Sequence, residues 1–169
     1  MPAGNTEAGV AYSQLICDQL TEERNRKSSL EARGITVITT SGTLATLLFA
    51  LTAGLTATTS FKLPATARLP LLLALIAFVV AAICGLATNI PLIYQEATPR
   101  GLAKLVDARY WTGPATVGQL RVAAAQVTLI TAARLANNLK VRLLIAAVTA
   151  ELLAIVFLCW AVASILYGP

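Results

Sequence analysis

The chain has 169 residues, of which 57% are apolar and only 12% charged, with a mean hydropathy of +0.73. A soluble domain carries about 25% charged residues, so this balance excludes an ordinary soluble fold and points to a multi-pass membrane protein built as one helical bundle. In a chain this apolar the net charge of +5 matters through its distribution between the two sides of a membrane, so no nucleic-acid partner is expected, and the absence of histidine removes His-based metal sites and triads.

In chain order, the start MPAGNTEAGVAYSQ has neither a basic n-region nor an apolar stretch of signal-peptide length, so the first span is expected to insert uncleaved. Residues 5–33 are polar, with an apolar stripe at Ala8, Ala11, Tyr12, Leu15, Ile16 and Leu20 that recurs on one helical face. Glu22 with Arg26 and Glu23 with Lys27 stand four apart in the order that supports a helix. A solvated juxtamembrane helix over 1–34 is expected, stopped by Gly34.

A charge-free run follows to about residue 56 and predicts the first span, since a hydrocarbon core of roughly 30 Å takes ~20 helical residues to cross. Gly42, Thr46, Ala50 and Gly54 recur every four residues there and form a small-residue ridge for close helix approach. Thr36, Thr39, Thr40, Thr43 and Thr46 leave a second reading open, a hydrated path.

Pro64 lies in a short turn, and residues 69–94 predict an antiparallel second span that completes a hairpin over 35–94. Ala77, Ala81 and Gly85 give it a ridge of its own, continued by Asn89, and Pro91 predicts a kink near Thr88 or Asn89. Residues 95–141 turn mixed. Leu102, Leu105 and Val106 stand opposite Arg100, Lys104 and Asp107, with Tyr110 and Trp111 next, which suits a short helix in the headgroup region.

Thr112, Gly113 and Pro114 then read as a break and a helix start. From there a single long helix is expected to run through the polar part into the third span, residues 142–169. The predicted fold class is all-α: an integral membrane bundle with three transmembrane helices, an amino-terminal juxtamembrane helix, and a long cytosolic helix continuous with the last span. A further span over 117–133 is disfavoured, because Arg121 would cost about 2.5 to 3.5 kcal/mol near its centre.

With three spans, eleven of the thirteen basic residues fall on the side of the amino terminus, against Lys62 and Arg68 on the other. The positive-inside rule predicts a cytoplasmic amino terminus and an external carboxyl terminus in a plasma membrane. Glu151 lies ~13 Å past Arg142 along a helix axis, near mid-membrane, where a charge must face the bundle or water, find donors, or take up a proton. Counting depth from the other span ends brings Thr40, Thr43 and Asn89 to a similar level. The predicted intramembrane polar cluster is therefore Glu151, Asn89, Thr40 and Thr43, acting as a register-fixing cluster, a proton- or ion-linked gate, or a contact with another subunit.

Two stretches, RKSSLEARGITVITTSGTLATLLFAL and ITAARLANNLKVRLLIAAVTAELLAIVFL, carry a resemblance. Their layout resembles small bacterial membrane proteins of the Pycsar transmembrane-effector and SLATT type, in which a charged juxtamembrane helix enters the first span and a later polar helix runs into another. Arg134, Asn137, Asn138, Lys140 and Arg142 occupy that later region. The resemblance implies an inner-membrane effector of antiphage nucleotide signalling that oligomerises and impairs the membrane.

No paired acid and base stands out, so no enzyme is expected, and no catalytic, metal or cofactor residue is assigned. Two functions remain open. One is a homo-oligomeric effector or channel-like module responding to a cytosolic small-molecule signal; the other is an accessory subunit of a larger membrane complex.

Overall fold

A computed structural model describes residues 4–57, 64–91 and 114–167, and all of its regular structure is helical. Three helices account for it: α1 (Gly4–Ala57), α2 (Ala65–Asn89) and α3 (Ala115–Tyr167). Each contains a stretch long and apolar enough to cross a membrane. The apolar surface points outward, as Leu47, Phe49, Leu72, Ile83, Leu152 and Trp160 each leave half or more of their area exposed. In a soluble protein such a face would be a liability, whereas a hydrocarbon solvent accepts it. Three such helices suggest a membrane location.

The chain divides into two compact units, Met1–Ser28 with Pro91–Leu139, and Ser29–Ile90 with Lys140–Pro169. In the second unit all three helices converge. Leu30 and Val37 of α1, Ala81 of α2, and Leu144 and Ala147 of α3 form the core, with Cys84, Val141 and Ala150 packed against it. The inward face of α3 reads Lys140, Leu144, Ala147, Glu151, Ala154, Leu158, Ala161 and Ile165, steps of four and three in alternation, and every exposed neighbour lies off this line. Leu30, Gly34, Val37 and Ser41 keep the same rhythm on α1. A repeat averaging 3.5 residues keeps one stripe facing a partner along a left-handed pairing, which is why these faces interdigitate.

Partner offsets within this unit rise together. Glu31 meets Lys140, and Thr40 meets Glu151, so α1 and α3 run parallel. Helix α2 runs against them, since Gly34 abuts Thr88 and Asn89 while Ile38, one turn on, abuts Gly85.

Two expectations are corrected. Gly34 does not stop the amino-terminal helix: α1 continues through it from the polar segment into the apolar one, so no break separates a juxtamembrane helix from the first long apolar stretch. A helical glycine costs only about 1 kcal/mol relative to alanine, and here the missing side chain is what admits α2. Pro91 does not kink α2 but ends it. The helix closes at Asn89 and Ile90 turns extended, φ −61° and ψ 126°, as a residue before proline is driven to do. Of the two small-residue ridges, Ala81 and Gly85 are buried and Ala77 partly so, while Gly42, Thr46, Ala50 and Gly54 all face outward, with nothing within 4 Å of a Cβ placed on Gly42 or Gly54.

Helix α3 begins at Ala115, where the Val117 amide donates to the Pro114 carbonyl at 3.0 Å. It then runs 53 residues to Tyr167 as a single helix. The expected headgroup helix around Leu102, Tyr110 and Trp111 lies outside the described residues.

Candidate functional site

Two polar constellations sit between α1 and α3, one in each unit. The first is built around Glu23, a buried carboxylate in an otherwise polar stretch. Its Oε1 accepts from Arg134 Nε at 2.9 Å, and its Oε2 accepts from Asn137 Nδ2 at 3.0 Å. The same Asn137 nitrogen also reaches the Glu23 backbone carbonyl at 3.0 Å. Arg134 donates in addition to Gln19 Oε1 at 2.8 Å, and Arg26 to Asn138 Oδ1 at 3.4 Å. Asn137 is fully buried, and its Oδ1 has no hydrogen-bond partner among the described residues. A buried asparagine in a helix seam sacrifices stability to fix which residues face each other.

Glu23 turns across to α3, where charge-assisted bonds from a guanidinium and a buried amide hold it, and Arg26 Nη1 stands 3.9 Å from its Oε2 on the same helix.

The second constellation belongs to the other unit. Lys140 is 1% exposed and pairs with Glu31 Oε1 at 2.5 Å. Further along, Thr40 Oγ1 donates to Glu151 Oε1 at 2.6 Å, and Ser41 Oγ lies 3.3 Å from the same oxygen. Hydroxyls hold this carboxylate, and among the described residues no lysine or arginine pairs with it.

Of the four residues expected in the intramembrane cluster, the structure joins Glu151 to Thr40. Thr43 Oγ1 donates to the Thr39 carbonyl at 2.8 Å, and Asn89 Nδ2 to the Gly85 carbonyl at 3.2 Å. Thr36, Thr39 and Thr46 likewise bond the carbonyl four residues back. Such back-bonded hydroxyls need no water, so the outward threonines are satisfied without a hydrated path. Among the described residues no three His, Cys, Asp or Glu side chains gather as metal ligands.

No known protein family, curated protein or solved structure matches this chain.

Ser41 and Glu31 escaped the sequence reading, and Lys140 entered it only through the resemblance. The signal was present in the steps of three and four from Asn137 through Lys140, Leu144 and Ala147 to Glu151, which put three polar residues on the buried line. Intervals of four alone do not trace it.

Proposed function

We propose that the chain is a homo-oligomeric effector or channel-like module of a bacterial inner membrane, with its amino terminus in the cytoplasm and its carboxyl terminus outside. The observation that carries this reading is Glu151. A carboxylate held by Thr40 and Ser41, on a helix whose neighbouring positions are apolar, costs about 2.5 to 3.5 kcal/mol to insert near a bilayer centre. An intramembrane carboxylate of this cost points to a functional use.

The polar seam supports a receiving role for the other unit. Glu23, Arg134, Asn137 and Arg26 tie α1 to α3 through side chains that a small polar signal or a partner can compete for. Both helices also supply the apolar unit, so a change in their pairing has a covalent route toward Glu151. Distribution of basic residues supports the orientation, with eleven of thirteen on the amino-terminal side. The resemblance to Pycsar transmembrane effectors supports a role in antiphage nucleotide signalling.

An accessory-subunit reading is compatible with the outward ridge of Gly42, Thr46, Ala50 and Gly54, which a helix of a foreign subunit could cover as readily as a second copy. Mild-detergent extraction from the native membrane, followed by mass measurement, separates the two. A ring of this polypeptide alone, with ion leakage altered by Glu151→Gln, supports the effector. Stoichiometric foreign subunits would overturn it.

A further inference from the structure

We propose that Glu151 is an intramembrane proton-binding site, and that Thr40 is its switchable partner, reversing its hydrogen bond when the proton arrives. This rests on the membrane reading above and deepens it by naming what the carboxylate binds.

The geometry holds both states ready. Thr40 Oγ1 lies 2.6 Å from Glu151 Oε1, and the same oxygen lies 3.0 Å from the Thr36 carbonyl and 3.1 Å from the Val37 carbonyl. A hydroxyl has one proton to give and lone pairs to receive another. With Glu151 ionised, Thr40 directs its proton at the carboxylate, and Ser41, 1% exposed, adds a second donor to the same oxygen.

When a hydronium ion delivers a proton to Glu151, water leaves, and the carboxylate's charge is cancelled by the one the hydronium carried. The new carboxyl O–H donates to Thr40 Oγ1, and the Thr40 proton turns to the carbonyl of Thr36 or Val37. Thr40 Oγ1 and Glu151 Oε1 each have a partner before and after, and no backbone atom need move. In an apolar setting this matters, because an unpartnered polar group costs several kcal/mol.

A metal cation fits the same atoms poorly. One carboxylate oxygen and two hydroxyls converge, whereas hard cations take roughly six oxygens or more. Nor does another charge compete for the proton among the described residues. Residues 35–57 of α1 carry no charge, and the helical neighbours of Glu151 on α3 are Ala147, Val148, Ala154 and Ile155. Helix α2 brings Ala81 and the thiol of Cys84 to the adjoining core, and its one charged residue, Arg68, is exposed near its start.

The test uses the full chain in native membrane vesicles and dicyclohexylcarbodiimide, an apolar reagent that modifies protonated carboxyl groups. Adduct on the Glu151 peptide is quantified by mass spectrometry from mildly acidic to mildly alkaline buffer. The expected result is an adduct that is abundant in acid and falls about tenfold per pH unit beyond its midpoint, as a single titrating site requires. Thr40→Val, which removes the donor to the ionised form, should leave several-fold more adduct on the falling limb. Absence of adduct at every pH, or a yield independent of pH, would overturn the site. A Thr40→Val profile superimposed on that of the parent chain would overturn the switching partner. The assembly's mass is not read in this experiment, so foreign subunits could sink the effector reading while the proton site stands.

Discussion

Gly34 of α1 and Gly85 of α2 meet backbone to backbone. A Cβ placed on Gly85 would stand 3.1 Å from the Gly34 carbonyl oxygen, and one placed on Gly34 would collide with Thr88 Oγ1 and stand 3.0 Å from the Gly85 carbonyl oxygen. Thr88 is fully buried and bonds the Gly85 carbonyl at 2.7 Å, so it has little room to turn aside. Gly34→Ala should therefore destabilise the protein by about 1 to 3 kcal/mol despite the better helix propensity of alanine. Gly42→Ala, where nothing lies within 4 Å, should be neutral or stabilising by up to ~1 kcal/mol. Thermal unfolding in a mild detergent reads both, and equal effects at the two sites would contradict the helix contact.

Asn137 and Asn138 are adjacent in sequence and opposite in consequence. Asn137 is buried and donates to the Glu23 carboxylate, whereas Asn138 receives an exposed bond from Arg26 at 3.4 Å. Replacing Asn137 with alanine should cost about 1.5 to 3 kcal/mol, the range for a bond to a charged group, and replacing Asn138 less than about 0.5. Denaturant titration followed by far-ultraviolet circular dichroism measures the difference.

The Glu31–Lys140 pair should respond asymmetrically. Lys140 is 1% exposed while Glu31 keeps 30% of its side chain in contact with the surroundings. Glu31→Ala strands a buried ammonium and should cost about 3 kcal/mol, whereas Lys140→Met fills the same space without a charge and should cost under ~1. The order of unfolding midpoints checks this, and a larger loss from Lys140→Met would show that the ion pair itself is a net stabiliser.

Along α3, Ala147, Ala154 and Ala161 are fully buried at intervals of seven. Ala154→Leu should force the seam apart at about 1 to 3 kcal/mol, while Leu153→Ala, on the outward face, should change stability by less than about 0.5 in detergent. Cysteine crosslinking between α1 and α3 offers a second readout, since a sprung seam lowers its yield.

How far residues alone could be read depends on which property is asked of them. The long apolar runs give three helices of spanning length, because hydrocarbon tolerates no unsatisfied backbone and a helix of about 20 apolar residues is its simplest solution. The unbroken course from Pro114 into the last span was equally legible, since no stop signal interrupts it. Only the tertiary structure decided which faces meet. Gly34 looked like a helix end because its local cost is visible in sequence, while the contact with Gly85 that offsets the cost is not. Depth counting put Thr40 and Thr43 level with Glu151, yet Thr43 stands about 4.5 Å farther along the axis and bonds the Thr39 carbonyl, whereas rotation let Thr40 and the neighbouring Ser41 reach the carboxylate. Apolar length is a property of one segment, whereas rotation and register belong to a pair, and it is the pair that chose Ser41 over Thr43 and buried Lys140.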